Sequence, residues 1–157
     1  MDDPLLAKLQ QTLRREMPIT SAMGIEVVSW RADQLAMRMP LEPNRNHQYS
    51  AFAGSLNALC TIVGWGTVYL MLAKQSLLSN IVIRRGAIRY VRPVCTPEFI
   101  AISLPREEHL EAYFYELLEN KGKSKLDVSV DITDDQGPYV MFKGSYVVQL
   151  QDTSSSN

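Results

Sequence analysis

The first twenty residues carry the hydrophobic pattern of an amphipathic helix. Four leucines share one face at helical spacing: Leu5, Leu6, Leu9 and Leu13. Asp3 precedes them, and Asp is a preferred N-cap residue, while Pro4 suits the first helical position. Because Pro18 cannot continue a helix, the pattern predicts one helix that begins at Pro4 and ends before Pro18.

Two segments with strand character follow. The first segment contains the apolar residues Ile25, Val27 and Val28. In the second, apolar residues stand at positions 35, 37, 39 and 41 and alternate with other residues. A period of two is typical of a strand with one buried face. We place the turn at Ala32 and Asp33, and Pro40 indicates a strand end or an edge position.

The most apolar part of the chain runs from residue 51 to residue 73 and predicts a helix of about twenty residues that starts near Ala53. By length it could be mistaken for a membrane span. It is interrupted by polar residues and glycines and has turn-rich flanks: Gly54, Ser55, Asn57, Gly64 and Gly66. Because strands surround it, we predict a buried core helix and no membrane span.

The rest of the chain predicts four strands and one helix. Strands are expected over 81–91, with Gly86 marking a bulge, over 99–104, and on both sides of a turn at 134–137. The helix is expected over 106–120, with one apolar face and Gly122 just beyond its end: Leu110, Phe114, Leu117 and Leu118. The fold class is therefore α+β, a mostly antiparallel sheet curled around one long apolar helix.

Length and composition point to an ordinary globular chain. Its 157 residues predict a single domain, residues 1–157, with a short frayed tail from about residue 151. Two cysteines without CxxC spacing fit a reducing compartment, and the amino terminus lacks a secretory pattern, so we expect a cytoplasmic protein. Two histidines and two scattered cysteines predict no metal site.

Charge is spread unevenly, although the formal net charge is only −1. No Asp or Glu occurs between Pro43 and Pro97, and this stretch carries six basic residues: Arg45, Lys74, Arg84, Arg85, Arg89 and Arg92. Such a stretch attracts anions, although chance clustering on a solvated strand would give the same pattern. Without interleaved aromatic residues it does not predict nucleic-acid binding.

Candidate chemistry lies where the polar loop 43–48 runs into the long helix. A helix N-terminus leaves backbone N–H groups unpaired and carries partial positive charge. The small residues Ala53, Gly54 and Ser55 would let a ligand reach those donors, an arrangement that can polarise a thioester carbonyl. The alternative is that Gly54 only permits close packing of the helix against a strand.

Polar residues on both sides of this junction are further candidates. His47 could act as a general base or orient a water, or it could be a surface turn residue. Asn44 and Asn46 are turn formers and also amides that can hold water. Asn57 and Thr61 lie one turn apart on the same face of the helix, where they could equally be a buried polar pair satisfied by the backbone.

Several sequence runs together resemble one known family, the thioesterases named for the C-terminal domain of the bacterial YiiD protein. The runs are Met23-Gly24-Ile25, Pro40 to His47, Phe52 to Leu56, Gly64-Trp65-Gly66 and Tyr90 to Val94. The resemblance extends over nearly the whole chain, roughly from Leu5 to Gln149. The combined set is fairly specific, whereas each run alone is not.

That resemblance implies the hot-dog fold, in which an antiparallel sheet wraps one long helix and pairs with a second subunit. Acyl-CoA or acyl-carrier-protein thioesters would bind in a tunnel between subunits, so we expect a homodimer or a dimer of dimers. No cofactor is implied beyond coenzyme A as part of the substrate. In YiiD the domain follows an acetyltransferase domain, so an acetyltransferase label on this chain would be inherited from that fusion.

One departure from related hot-dog enzymes concerns catalysis. Many of them place an Asp or Glu on the central helix about seven residues beyond the glycine, and here that position is Thr61. The acid-free stretch from Pro43 to Pro97 leaves no substitute nearby in sequence. The departure weakens the assignment as a hydrolase and leaves the fold assignment unaffected.

The leading expectation is thioester hydrolysis at the start of the central helix. Gly54, with Ser55, would donate to the carbonyl, and His47 would hold the water with help from Asn46 or Thr61. The expected substrate-binding residues are Asn44, Phe52, Ala53, Asn57, Arg84, Arg85 and Arg89. The alternatives are a non-catalytic acyl-thioester or lipid-binding module and a hot-dog dehydratase or isomerase. The last would need a carboxylate such as Asp127 or Asp131 from the partner.

Overall fold

The computed structural model describes residues 3–151, which form four α-helices and six strands. In chain order they are α1 (Pro4–Glu16), α2 (Ile19–Met23), β1 (Glu26–Arg31), β2 (Gln34–Pro40), α3 (Ala53–Lys74), β3 (Ser79–Tyr90), β4 (Glu98–Ser103), α4 (Glu108–Lys121), β5 (Lys123–Asp134) and β6 (Gly137–Leu150). A single 3₁₀ turn, Glu42–Asn44, precedes α3. The predicted tail lies almost entirely outside the described residues.

The strands form one antiparallel sheet in the order β1-β2-β4-β5-β6-β3. The long helix α3 packs against one face of this sheet and contacts five of its strands, β2 to β6. Strands β5 and β6 alternate buried and exposed residues along most of their length, so their buried side chains meet the helix. The predicted α+β architecture is confirmed.

Helix α3 lies in the core because its sequence has almost no polar face. Among the described residues it alone is long and apolar enough to cross a membrane, with a mean hydropathy of 1.6 over its most apolar window. Of that window, 61% is buried inside the fold, as expected for a core helix. The predicted start near Ala53 is confirmed.

Tight packing explains two glycines of α3. A Cβ atom at Gly64 would stand 2.1 Å from the hydroxyl oxygen of Tyr146, and one at Gly66 would stand 2.7 Å from Leu35. The Tyr146 hydroxyl donates to the Thr61 carbonyl over 2.7 Å and so ties β6 to the helix. The run Gly64-Trp65-Gly66 therefore marks where the sheet approaches the helix backbone.

Strand β3 departs from the predicted bulge position. The register shifts between Ile83 and Arg85, so the extra residue is Arg84, while Gly86 pairs regularly with Gly144. A Cβ at Gly86 would come no closer than 3.4 Å to the Phe142 ring. Glycine is present here without being required by a bulge, and the prediction for Gly86 was wrong.

Other departures from the predictions concern α2, the start of α4 and the exposure of Leu110. The short helix α2 was not predicted, and β5 begins at Lys123, directly after the left-handed Gly122 that ends α4. Helix α4 begins at Glu108, two residues later than predicted, and Leu110 is 52% exposed while Phe114 and Leu118 are buried. Leu110 lies in the first turn of the helix, whereas both buried residues lie in later turns.

Candidate functional site

Asn46 organises the loop that leads into α3. Its side-chain oxygen accepts the amides of Gln48 and Ser50 over 2.9 and 3.2 Å, and its side-chain nitrogen donates to the Ser50 hydroxyl over 2.9 Å. The backbone closes the same loop through the Asn46 amide and the Ser50 carbonyl at 2.7 Å. Both ends of the side chain therefore hold the loop, and the second N–H of the side-chain amide is the one donor left to hold a water.

Asn44 also has a structural position rather than an exposed one. It is 3% exposed, and its amide nitrogen donates to the carbonyls of Met23 and Pro40, each over 2.8 Å. Its backbone oxygen accepts the Phe52 amide over 2.7 Å. The side chain joins α2 to β2 and the backbone oxygen joins the start of α3, so the structure does not present Asn44 as a substrate-binding group.

The first turn of α3 presents unpaired backbone donors. Phe52 is the N-cap residue and offers no side-chain hydrogen bond, while its carbonyl accepts the Leu56 amide over 3.1 Å. Within residues 3–151, no group accepts the amides of Ala53, Gly54 or Ser55. These three N–H groups, with the positive end of a 22-residue helix, are able to bind a carbonyl oxygen or an anion.

Access to these amides depends on the small residues that carry them. Ala53 and Gly54 are exposed, and Ser55 is buried at 8%. A Cβ at Gly54 would stand 2.6 Å from the Phe52 ring, which is 56% exposed and covers this side of the turn. The glycine thus keeps the turn open to an approaching group, and Phe52 forms one side of that approach.

A cavity of about 290 Å³ adjoins the first turn of α3. Its lining is mostly apolar and consists of Asn46, Ala51, Ala53, Leu56, Tyr90, Val91, Arg92 and Pro93. Tyr90 stands at the end of β3, and its hydroxyl donates to the Ala53 carbonyl over 3.1 Å. Tyr90 was part of the family-like run but was given no role from the sequence.

Asn57 and Thr61 lie on the same face of α3, as predicted, but they are not a buried pair. Asn57 is exposed and Thr61 half-buried, and the Thr61 hydroxyl donates to the Asn57 side-chain oxygen over 3.2 Å. With that oxygen engaged, the Asn57 amide nitrogen is the end left for other partners. The pair continues the exposed stripe that begins at Gly54.

His47 lies at an exposed corner of the loop, next to Asn46. In the described part of the chain its side chain has no hydrogen-bond partner, and it does not line the cavity. The imidazole is therefore unconstrained.

Arg84, Arg85 and Arg89 lie along β3, an edge strand of the sheet, and all three are exposed. No described acidic side chain pairs with them. Arg89 stands opposite the exposed Met141, whereas the next residue, Tyr90, stands opposite the buried Val140. Arg89 thus projects from the face opposite α3, so it could meet a substrate at Gly54 only around the edge of the sheet.

Arg92, by contrast, belongs to the wall of the cavity. It pairs with Asp134, donates to the Gly137 carbonyl over 2.7 Å and stacks on the Tyr139 ring at 3.8 Å. The guanidinium group holds the pKa of the Asp134 carboxyl well below its ordinary value. Arg92 is therefore engaged by the β5–β6 turn, and its charge is already neutralised.

Two aspartates and one cysteine are further candidates for chemistry. Asp127 and Asp131 lie on the exposed face of β5, in the interior of the sheet order and on the side away from α3. Asp127 accepts the Ser145 hydroxyl, and burial raises the pKa of Asp131. Cys60 is fully buried, which raises its pKa to about 12 and makes it a poor nucleophile.

In residues 3–151, no three His, Cys, Asp or Glu side chains lie together in a group that could hold a metal ion. The site therefore consists of backbone donors, an apolar cavity and a small set of polar side chains. Within one copy of the chain, Asp127 and Asp131 face away from α3, so neither is a carboxylate partner for His47 in the same subunit.

A comparison with family models matches residues 6–150 to the family described as "Putative thioesterase (yiiD_Cterm)". The chain belongs to this thioesterase family. The match spans the loop, the first turn of α3 and the cavity, so the resemblance inferred from the sequence is confirmed.

Solved structures of similar proteins share the fold. A protein of unknown function from Chlorobaculum tepidum is 31% identical, with 94% of this chain and 95% of that one covered and a TM-score of 0.88. A "putative thioesterase" from Shewanella oneidensis is 30% identical, with 94% and 98% covered and a TM-score of 0.83. A thioesterase from Haemophilus influenzae, 17% identical with 95% and 94% covered, shares the fold at a TM-score of 0.72. The fold is the hot-dog fold, as predicted.

Proposed function

We propose that this thioesterase-family protein hydrolyses an acyl-CoA or acyl-carrier-protein thioester at the N-terminus of α3. The observation that carries the proposal is the set of three unpaired amides of Ala53, Gly54 and Ser55 beside an apolar cavity. Preorganised N–H donors stabilise the oxyanion of acyl transfer, and an apolar cavity suits an acyl group.

In the proposed reaction, water attacks the thioester carbonyl carbon while Gly54 and Ser55 donate to the carbonyl oxygen. The resulting tetrahedral oxyanion collapses, the carbon–sulfur bond breaks, and the products are a carboxylate and a free thiol. We assign His47 as the base that takes the proton of the water and returns it to the departing sulfur. Its uncommitted side chain beside Asn46 supports this assignment.

Substrate contacts would be divided between the helix and the edge strand. Leu56 in the cavity wall and the exposed Phe52 ring offer apolar surface to the acyl group. The free Asn57 amide can donate to the pantetheine part or to the water. The unpaired Arg84, Arg85 and Arg89 would bind phosphates of coenzyme A or acidic groups of a carrier protein. Because Arg89 projects from the other face of the sheet, we expect the phosphates to lie at its edge.

We also propose that the working form is a homodimer or a dimer of dimers, joined along β3. Within residues 3–151 this 12-residue strand has no hydrogen-bonded partner on its outer side, and Gly54 and Asn57 are exposed on one face of α3. An unpaired edge is a ready site for strand addition by a second copy. Such pairing would set the arginines of two copies close to both sites.

The test is release of free thiol from short, long and aromatic acyl-CoA thioesters, compared between wild type and Gly54→Val. Bulk at Gly54 would cover the amides, so we expect kcat to fall by about 10² or more while the dimer persists. The displaced Phe52 ring is half-exposed and can move, which keeps the variant folded. Wild-type kcat in a folded, dimeric Gly54→Val protein would disprove the oxyanion role.

His47→Ala, assayed in the same panel, tests the base. We expect kcat to fall about a hundredfold, the usual contribution of a positioned general base. His47→Gln is the matched variant, since it keeps a polar side chain but cannot cycle a proton. Little change in either would move water activation to another group, with Thr61 first.

The second candidate is a non-catalytic acyl-thioester-binding module. It is favoured by a specific feature: the central helix carries Thr61, bonded to Asn57, where related enzymes carry a carboxylate. Tight acyl-CoA binding by the wild type without thiol release from any substrate would select this function over hydrolysis.

A further inference from the structure

We infer that Tyr90 is a positioning residue that strengthens the Gly54 amide as an oxyanion donor. The inference rests on the proposed function, because it concerns the same first turn of α3. It starts from one contact, the hydrogen bond from the Tyr90 hydroxyl to the Ala53 carbonyl at 3.1 Å.

The Ala53 carbonyl and the Gly54 amide belong to one peptide unit. That unit is planar, and in the trans form its C=O and N–H point in opposite directions. All peptide bonds of the described residues are trans, so the bond from Tyr90 approaches one end of the plane while the Gly54 N–H leaves from the other. Fixing the carbonyl end therefore fixes the direction in which the amide donates.

The same bond also changes the strength of the donor. A peptide carbonyl that accepts a hydrogen bond draws electron density from its nitrogen, which makes the N–H more acidic, and chains of such bonds reinforce each other by about 10–30% per bond. An oxyanion donor contributes about 10²–10³ in kcat. Raising the free-energy contribution of this donor by 10–30% therefore corresponds to about a two- to eightfold effect on kcat.

The position of Tyr90 fits this role better than a purely structural one. Its side chain is 48% exposed and lines the cavity beside the first turn, so its hydroxyl is not needed to satisfy a buried group. Strand β3 places it there because Tyr90 stands opposite the buried Val140 and so projects toward the helix face. The aromatic ring closes one side of the cavity, and the hydroxyl reaches the helix.

The experiment removes only the hydroxyl, with Tyr90→Phe, and compares two readouts with those of wild type. The first is the amide proton shift of Gly54 in the ¹H–¹⁵N spectrum, which needs no substrate. The second is kcat and KM for the best acyl-CoA substrate of the panel. Tyr113→Phe is the matched control, since Tyr113 is 58% exposed on α4 and makes no hydrogen bond with the described residues.

We expect Tyr90→Phe to move the Gly54 amide proton upfield and to lower kcat about two- to eightfold at nearly constant KM, while Tyr113→Phe changes neither. An unmoved Gly54 amide proton would overturn the inference whatever the kinetics. So would wild-type kcat in an active Tyr90→Phe protein. If wild type hydrolyses no thioester, the proposed function fails, and the amide shift alone decides whether Tyr90 acts on Gly54.

Discussion

Gly54 and Gly64, ten residues apart on one helix, are glycines for different reasons. Gly54 keeps the first turn open, whereas Gly64 makes room for the hydroxyl of Tyr146, which is fully buried and donates to the Thr61 carbonyl. Burial raises the pKa of Tyr146, so its hydroxyl keeps its proton and remains a donor. The backbone below the exposed Asn57–Thr61 pair is thus held by a residue of β6.

Gly64→Ala should lower stability because its new methyl group would overlap the Tyr146 hydroxyl. Overpacking in a well-packed core costs about 1–3 kcal/mol, and we expect the free energy of unfolding to fall by this amount in urea titrations. Gly86→Ala is the control, since the nearest atom there is 3.4 Å from the added carbon. Equal stability of the two variants would show that Tyr146 does not depend on Gly64.

At the scale of elements, the loop between the 3₁₀ turn and α3 behaves as a folded unit. Asn46 closes it from within, and the Ala51 amide anchors it to the Val94 carbonyl over 2.8 Å. The loop determines where α3 begins and therefore where its three free amides point. The side chains of Asn44 and Asn46 bond mainly to backbone groups, which leaves few of their donors and acceptors for a ligand.

Replacing Asn46 tests whether this residue holds the loop or takes part in the reaction. Asn46→Ala removes three hydrogen bonds, and at about 1 kcal/mol each for partly exposed groups we expect a loss of about 1–3 kcal/mol in urea unfolding, together with reduced kcat. Asn46→Asp keeps both acceptor bonds and can accept from the Ser50 hydroxyl, so it should stay close to wild type in both measurements. A stable Asn46→Ala protein with reduced kcat would instead assign Asn46 to the chemistry.

The elements themselves were largely predictable, since helix and strand periods follow directly from which residues reach the core. The long helix, its start near Ala53 and the two strands around the turn at 134–137 were predicted because their apolar residues fit only one kind of element. The bulge at Arg84 was not, because an exposed strand residue carries no pattern that separates an extra residue from a paired one. Glycine at 86 pointed to the wrong position.

The site was predictable only in part. Small residues at the start of an apolar helix located the free amides, but the sequence did not reveal which polar side chains were already occupied. Asn44 and Asn46 bond to groups from two to twenty-one residues away, and Tyr90 reaches a helix that begins 37 residues earlier. Such partners are set by the packing of the sheet, which no local pattern encodes.

At the scale of the whole molecule, the unpaired β3 edge is the feature on which the proposed dimer depends. Amides that point away from β6 along this strand would exchange quickly with solvent in a monomer and slowly if a second β3 paired with them. The other edge strand, β1, provides an internal reference at every position except Val27, whose amide donates to the Gln10 side chain over 2.7 Å and is protected in either case.

We expect sedimentation to give a mass of at least twice 17.7 kDa, and hydrogen exchange to show protection in β3 that β1 lacks. Diluting the protein should weaken that protection, because association depends on concentration. A 17.7 kDa species in which β3 and β1 exchange equally fast would rule out pairing along this edge.

Both outermost strands carry an irregularity, at Val28 in β1 and at Arg84 in β3. A bulge twists a strand locally and interrupts its ladder, so the longest regular run that β3 can offer is the six residues from Arg85 to Tyr90. Fibril growth needs long, flat strands that template one copy after another. The bulge in each edge strand therefore favours an assembly that closes after a few subunits over one that polymerises without limit.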